Sequence, residues 1–277
     1  MNKLASKLQN IDRRVLYAVL VAIVVIGLIV PIPLPLAISP QARGVYDAVE
    51  NASPSKVAII CTNWSASTQG ENRPQTRVVL THMMRKKIRF VLMAFEQQST
   101  VLAQELTEEL AREHGYEYGR DWLNLGFRAD VAGTLKGSLL DIWQVFKTDS
   151  IQRKPLSEFP IMKDLKSLKD ASVIVEISPS GNYKSWIGLV TGSIDAPFVY
   201  GPTSVMAPEL YTYLDSGQIK GMMFGIKGAA EYERLLGIKG FTTRAITPVS
   251  LALVLLFVLI ALGNWGMYAS RREEAKG

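Results

Sequence analysis

The segment Lys56-Val57-Ala58-Ile59-Ile60-Cys61-Thr62 decides the fold. It is an apolar run of strand length, and a strand that is apolar on both faces belongs to a sheet covered on both sides. The residues after it repeat the pattern. Residues 74–87 read as a helix, with Pro74 in the first turn and Arg85, Lys86 and Lys87 at the end where positive charge suits the dipole. Residues 88–95 form a second apolar run, interrupted only by Arg89. Residues 99–114 carry Val101, Leu102, Leu106 and Leu110 as a helical stripe, with Ser99 as the expected cap and Gly115 as the stop.

The alternation continues outward. Strands are expected over 122–127, 172–177, 196–200 and 218–224, and helices over 132–146, 161–168, 183–191, 207–214 and 229–236. Apolar strands separated by helices predict an α/β fold. The expected form is a mainly parallel sheet in a three-layer α/β/α (Rossmann-like) domain, because crossovers between parallel strands are right-handed. The alternation resembles that of the sugar- and amino-acid-binding lobes of periplasmic binding proteins, a likeness of architecture that carries no function with it.

Beyond this domain, expected over 56–240, lie two uncharged runs, from Val15 to Ile38 and from Ile246 to Ser270. A bilayer core takes about 20 apolar helical residues, so both suit membrane spans, placed at 15–38 and 246–269. Pro31, Pro33 and Pro35 mark the end of the first, and Trp265 and Tyr268 sit at the close of the second as interfacial aromatics. A cleaved signal peptide is the rival for the first run, since Ala37-Ile38-Ser39 faintly resembles a cleavage site. Pro40 would follow the cut and the run is long for a signal, so a retained anchor is expected. Residues 39–55, rich in Pro, Ser, Ala and Asn, read as a tether.

Charge sets the expected orientation. Lys3, Lys7, Arg13 and Arg14 precede the first run, and Arg271, Arg272 and Lys276 follow the second. Both tails, 1–14 and 270–277, should therefore be cytoplasmic and the middle extracytoplasmic, in a cell (inner) membrane. The whole chain carries a formal +6, whereas residues 40–245 hold 24 Lys plus Arg against 22 Asp plus Glu. Most of the positive charge is thus a topology signal, and no nucleic-acid partner is expected. Cys61 is the one cysteine, so an intramolecular disulfide is impossible. An exported domain of this kind is compatible with bacteria.

Parallel α/β sheets bind ligands beyond the C-terminal ends of their strands, above all where strand order reverses. The reversal is expected between the first and fourth strands. The loop after the first strand holds Asn63, Ser65, Thr68, Gly70 and Glu71. The second strand ends on Glu96 with Ser99 close behind, the fourth on Glu176 and Ser178, and the fifth is followed by Thr203. These ten residues are the candidate ligand-binding set. Glu96 and Glu176 each follow an apolar run and could work as an acid–base pair, hold a metal, or serve as caps and acceptors. The stretch 116–128, with its aromatics and glycines, reads either as a partner surface or as aromatic packing around a strand entry.

Several catalytic signatures are missing. Two histidines, His82 and His114, stand without a second ligand at metal spacing, and neither a phosphate loop, a dinucleotide fingerprint nor a nucleophile elbow occurs. No cofactor, metal or catalytic residue is assigned, and a non-enzyme is favoured. The leading expectation is a membrane-anchored, non-catalytic subunit or scaffold, with lipid and other membrane subunits or copies of itself as partners. The alternative is a ligand-binding sensor or capture domain for a small molecule. A third reading, a carboxylate hydrolase, requires Glu96 and Glu176 within about 5–10 Å of each other.

Overall fold

The computed structural model describes residues 12–29, 37–238 and 240–274. They divide into two compact units, residues 37–238 and the two flanking segments.

The larger unit is built on a sheet of six strands, all parallel: β1 (Val57–Thr62), β2 (Arg89–Ala94), β3 (Trp122–Phe127), β4 (Ala171–Ser178), β5 (Phe198–Pro202) and β6 (Gly221–Met222), in the order β3-β2-β1-β4-β5-β6. Order reverses between β1 and β4, as expected, which is the arrangement of doubly wound dinucleotide-binding folds. The register sets Cys61 beside Met93 on one side and Glu176 on the other, and Glu176 in turn beside Tyr200.

Helices cover both faces. On one lie α2 (Pro40–Glu50), α3 (Gln69–Arg85), α4 (Gln97–His114) and α9 (Gly225–Leu235), whose Val79, Met83, Leu106 and Tyr232 pack on Ile60, Leu92 and Val175. On the other lie α5 (Val131–Leu140), α6 (Ile142–Phe146), three short 3₁₀ turns and α7 (Tyr183–Leu189), whose Leu135, Phe146 and Trp186 pack on Ile59, Val91 and Phe198. The helix α8 (Ala207–Asp215) adds Leu210 to this second core. Strand alternation sorts the two cores, because successive side chains point to opposite faces.

Three expectations change. The segment expected as a tether contains α2, an ordered helix with Ser39 accepting from Ala42 N at 3.2 Å, Pro40 at the first turn, and Ala42, Val45 and Val49 buried. Its linker-like composition hid a cap-plus-proline start and a helical spacing of apolar residues. Helix α3 begins at Gln69, not Pro74, so that proline lies inside it. The helix expected over 132–146 is broken at Asp141, whose carboxylate caps α6 through Trp143 N and Gln144 N. The tripeptide Ile-Lys-Gly occurs at 219–221 and again at 226–228 in different settings: the first leads into β6, and the second lies in the first turn of α9.

In the flanking unit, α1 (Arg13–Ile29) packs on α10 (Phe241–Glu274). Gly27 permits the approach, since a Cβ there would lie 2.9 Å from Pro248 Cα. The stretch Thr242–Tyr268 is long and apolar enough to cross a membrane, and most of it is exposed. Of the first expected anchor, residues 15–29 lie in the 17-residue helix α1. The remainder of that anchor falls largely on 30–36, outside the described residues.

Candidate functional site

Strand alternation along β4 turns Glu176 toward the face of Ile174 and Cys61, and the register brings it beside β1 at the point where strand order reverses. It is fully buried. One carboxyl oxygen accepts from the Asn63 side-chain amide at 3.0 Å, and the other has no partner. Burial drives the Glu176 pKa up to about 8, against the opposing pull of Asn63 and Ser178. The same burial, reinforced by Glu176, raises the neighbouring Cys61 thiol well above its ordinary range. Burial disfavours the charged form of the acid here.

Asn63 does more than meet Glu176. Its backbone N–H donates to Ile177 O at 2.9 Å, and its side-chain oxygen accepts from Phe95 N at 2.6 Å. One asparagine at the end of β1 therefore ties together the ends of β1, β2 and β4. It is 4% exposed, so it floors the switch point instead of lining an open cleft.

The next loop is closed from the side of α3. Glu71 accepts from Ser204 N at 2.7 Å and Ser204 Oγ at 3.0 Å. Gly225 (φ 51°) lies so close that a Cβ would collide with Ser204 Oγ and the Glu71 carboxylate. Gln75 reaches across the sheet edge and donates to Pro202 O at 2.8 Å and Met223 O at 2.5 Å, while Asn72 donates to Gln75 Oε1 at 2.8 Å. Trp64 Nε1 donates to Thr76 Oγ1 at 3.1 Å. Asn72, Gln75 and Thr76 are fully buried. Reading Pro74 as the helix start left Asn72 outside the helix; the spacing of Asn72, Gln75 and Thr76 with Val79, Leu80 and Met83 is the signal that this face turns inward.

The other expected residues take smaller parts. Glu96 is the N-cap of α4, accepting from Gln98 N at 3.4 Å, so Ser99 is not the cap. Ser99 is buried inside the first turn with its hydroxyl unpartnered. Ser65 pairs with Ser67 at 2.8 Å, and Ser178 with Ser180 at 2.6 Å. Thr68 precedes α3 without capping it through its side chain. Gly70 is exposed with open space where a Cβ would stand. Thr203 is buried and its carbonyl accepts from Met206 N at 3.1 Å. Asn63 and Glu176 are thus joined directly, Glu71 is joined to the loop after β5, and Glu96 shares no hydrogen-bond partner with Glu176.

Elsewhere, Tyr118 stacks edge-on against Trp122 and Phe159 and donates to Asp149, so the aromatic stretch after Gly115 includes core packing. A pocket of about 470 Å³ lies at the opposite sheet edge, between Ile194, Phe198, Gln218 and Lys220, and holds none of the ten candidates. Among the described residues no three His, Cys, Asp or Glu side chains gather as metal ligands would.

The fold defines an α/β domain of doubly wound order, in a chain whose C-terminal helix is apolar enough to cross a membrane. No protein-family profile, curated protein or solved structure matches the chain significantly.

Proposed function

We propose that the chain is a membrane-anchored, non-catalytic α/β domain that serves as a subunit or scaffold of a larger membrane assembly. The observation that carries this reading is the state of the switch point. Where a ligand would sit in a doubly wound fold, Asn63 and Glu176 bond to each other in full burial, and Gln75 closes the neighbouring edge. A sealed crevice suits a domain that works through its surface. The apolar helix Thr242–Tyr268 supports the membrane part, and the basic tails support an orientation with both termini cytoplasmic and the domain outside.

Native mass measurement after extraction in mild detergent tests it. Partner subunits or additional copies are expected, and a monomer at every detergent ratio overturns the assembly reading. For the orientation, Val205→Cys on an 85% exposed side chain should react with an impermeant thiol reagent added outside intact cells. Labelling of Lys276→Cys instead would invert it.

The ligand-sensor reading keeps one supporting observation, the Glu176 oxygen that is buried without a partner. Thermal stabilisation by a small molecule, lost in Asn63→Ala, would favour it over the assembly reading.

A further inference from the structure

The one buried histidine lies far from the switch point in sequence and joins three helices. His82 of α3 is 2% exposed. Its Nδ1 is 2.8 Å from Tyr232 Oη of α9, and its Nε2 is 2.8 Å from a Glu50 carboxylate oxygen of α2. Tyr46 of α2 stacks on the ring at 4.6 Å between centroids, and Lys86 donates to the other Glu50 oxygen at 2.7 Å. The opposite end of α2 is pinned to the same helix α9, because Ser39 donates through its backbone N–H and its hydroxyl to the buried Glu231, which Lys227 also meets at 2.6 Å. Between the two pins α2 lies over β6, the outermost strand. Gly44 and Gly221 touch backbone to backbone, and a Cβ on Gly44 would lie 2.5 Å from Lys220 O. A strand Cβ points to a face of the sheet, so α2 packs tightly on the face of this outermost strand.

The partners fix the tautomer. An ionised Glu50 only accepts, so Nε2 carries the proton, and Nδ1 must accept from the Tyr232 hydroxyl. A second proton on the ring makes Nδ1 a donor. The Tyr232 hydroxyl must then accept from Nδ1, and its hydrogen loses this acceptor in a fully buried position.

We propose that α2 is an acid-releasable clasp, closed over the face of β6 while His82 is neutral and loosened when His82 takes its second proton. The groups acting on the ring are Tyr46 and Glu50 from α2, Tyr232 from α9, and Arg85 and Lys86 on α3; Asp47 acts on Tyr232. Burial holds the His82 pKa below its ordinary value, with Lys86 and Arg85 adding to it and Glu50 opposing. Glu50 itself is held below the usual carboxylate range by Lys86 and His82, so it stays ionised while His82 titrates. For a base with a lowered folded-state pKa, clasp stability is present at neutral pH and is lost as pH falls below the free histidine value.

Hydrogen exchange of the full chain in detergent, with rates corrected for the intrinsic pH dependence, reads this directly. Protection of residues 40–50 should fall on acidification from pH 7.5 to 5, by up to about tenfold per pH unit for one proton, while β1 and β2 keep theirs. His82→Gln should remove the pH dependence. Should that variant misfold, Glu50→Gln serves: losing the opposing charge lowers the folded-state His82 pKa further, so the loss of protection should still begin near the free histidine value and run deeper at pH 5 than in wild type. Protection of residues 40–50 that holds constant to pH 5, or a loss equal in wild type and both variants, overturns the clasp.

Discussion

Replacing Glu176 by Gln isolates the energetic consequence of burying an acid at the switch point. The folded-state pKa of about 8 compares with an ordinary value of 4.5. Between those two values the native state holds a proton that the unfolded state has released. Stability therefore falls as pH rises from about 4.5 to about 8, and it levels off above, where both states are ionised. At about 1.4 kcal/mol per pKa unit the full loss is of order 5 kcal/mol. Gln keeps the shape and an oxygen for the Asn63 amide but cannot ionise. Its amide group stands where Glu176 has an unpartnered oxygen, which costs about 1–3 kcal/mol and offsets part of the gain. Glu176→Gln should be no more stable than wild type near pH 5.5 and more stable by about 2–4 kcal/mol at pH 8.5. At about 2–4 °C per kcal/mol for a domain of this size, melting curves at four pH values resolve the crossover. Other titrating groups, His82 among them, contribute to both proteins and cancel in the difference. Parallel Tm-versus-pH curves for the two proteins would refute the argument, because they would mean that Glu176 is solvated or paired in the folded state.

Gln75→Ala strands the carbonyls of Pro202 and Met223 in a buried position and should cost about 2–4 kcal/mol in denaturant unfolding, with no change in pH dependence. Gly44→Val forces α2 away from β6 and should make residues 40–50 protease-sensitive at neutral pH, with β1 still protected from hydrogen exchange. Gly27→Leu should reduce disulfide cross-linking of a cysteine pair placed at Ile26 and Leu255, which line one groove between α1 and α10. Undiminished cross-linking would show that Gly27 is not the point of closest approach.

Much of the architecture was legible because it rests on local pattern. The runs read at 56–62, 88–95 and 122–127 match strands to within a residue, since a strand buried on both faces is apolar along its whole length. The reversal between β1 and β4 lies where it was expected, and the full strand order comes from the tertiary structure. Elements set by tertiary contact were misread. Helix α2 has the composition of a linker and holds its place through Glu231, His82 and the β6 backbone. The start of α3 runs five residues ahead of its proline because Asn72 is buried against the sheet edge.

The candidate site divides the same way. Asn63 and Glu176 could be named from sequence because polar residues at the C-terminal ends of apolar strands fall on one edge. That they bond to each other, and so close the floor they were expected to open, depends on the register of β4 against β1. Hydrophobic period is a property of neighbours in the chain, and the sequence alone determined the strand–helix alternation, the parallel sheet it implies and the apolar helix Thr242–Tyr268. Pairings such as Asn63 with Glu176 and His82 with Glu50 and Tyr232 join residues far apart in the chain. Only the tertiary structure decided them, because a buried polar group takes whichever partner packing brings within reach.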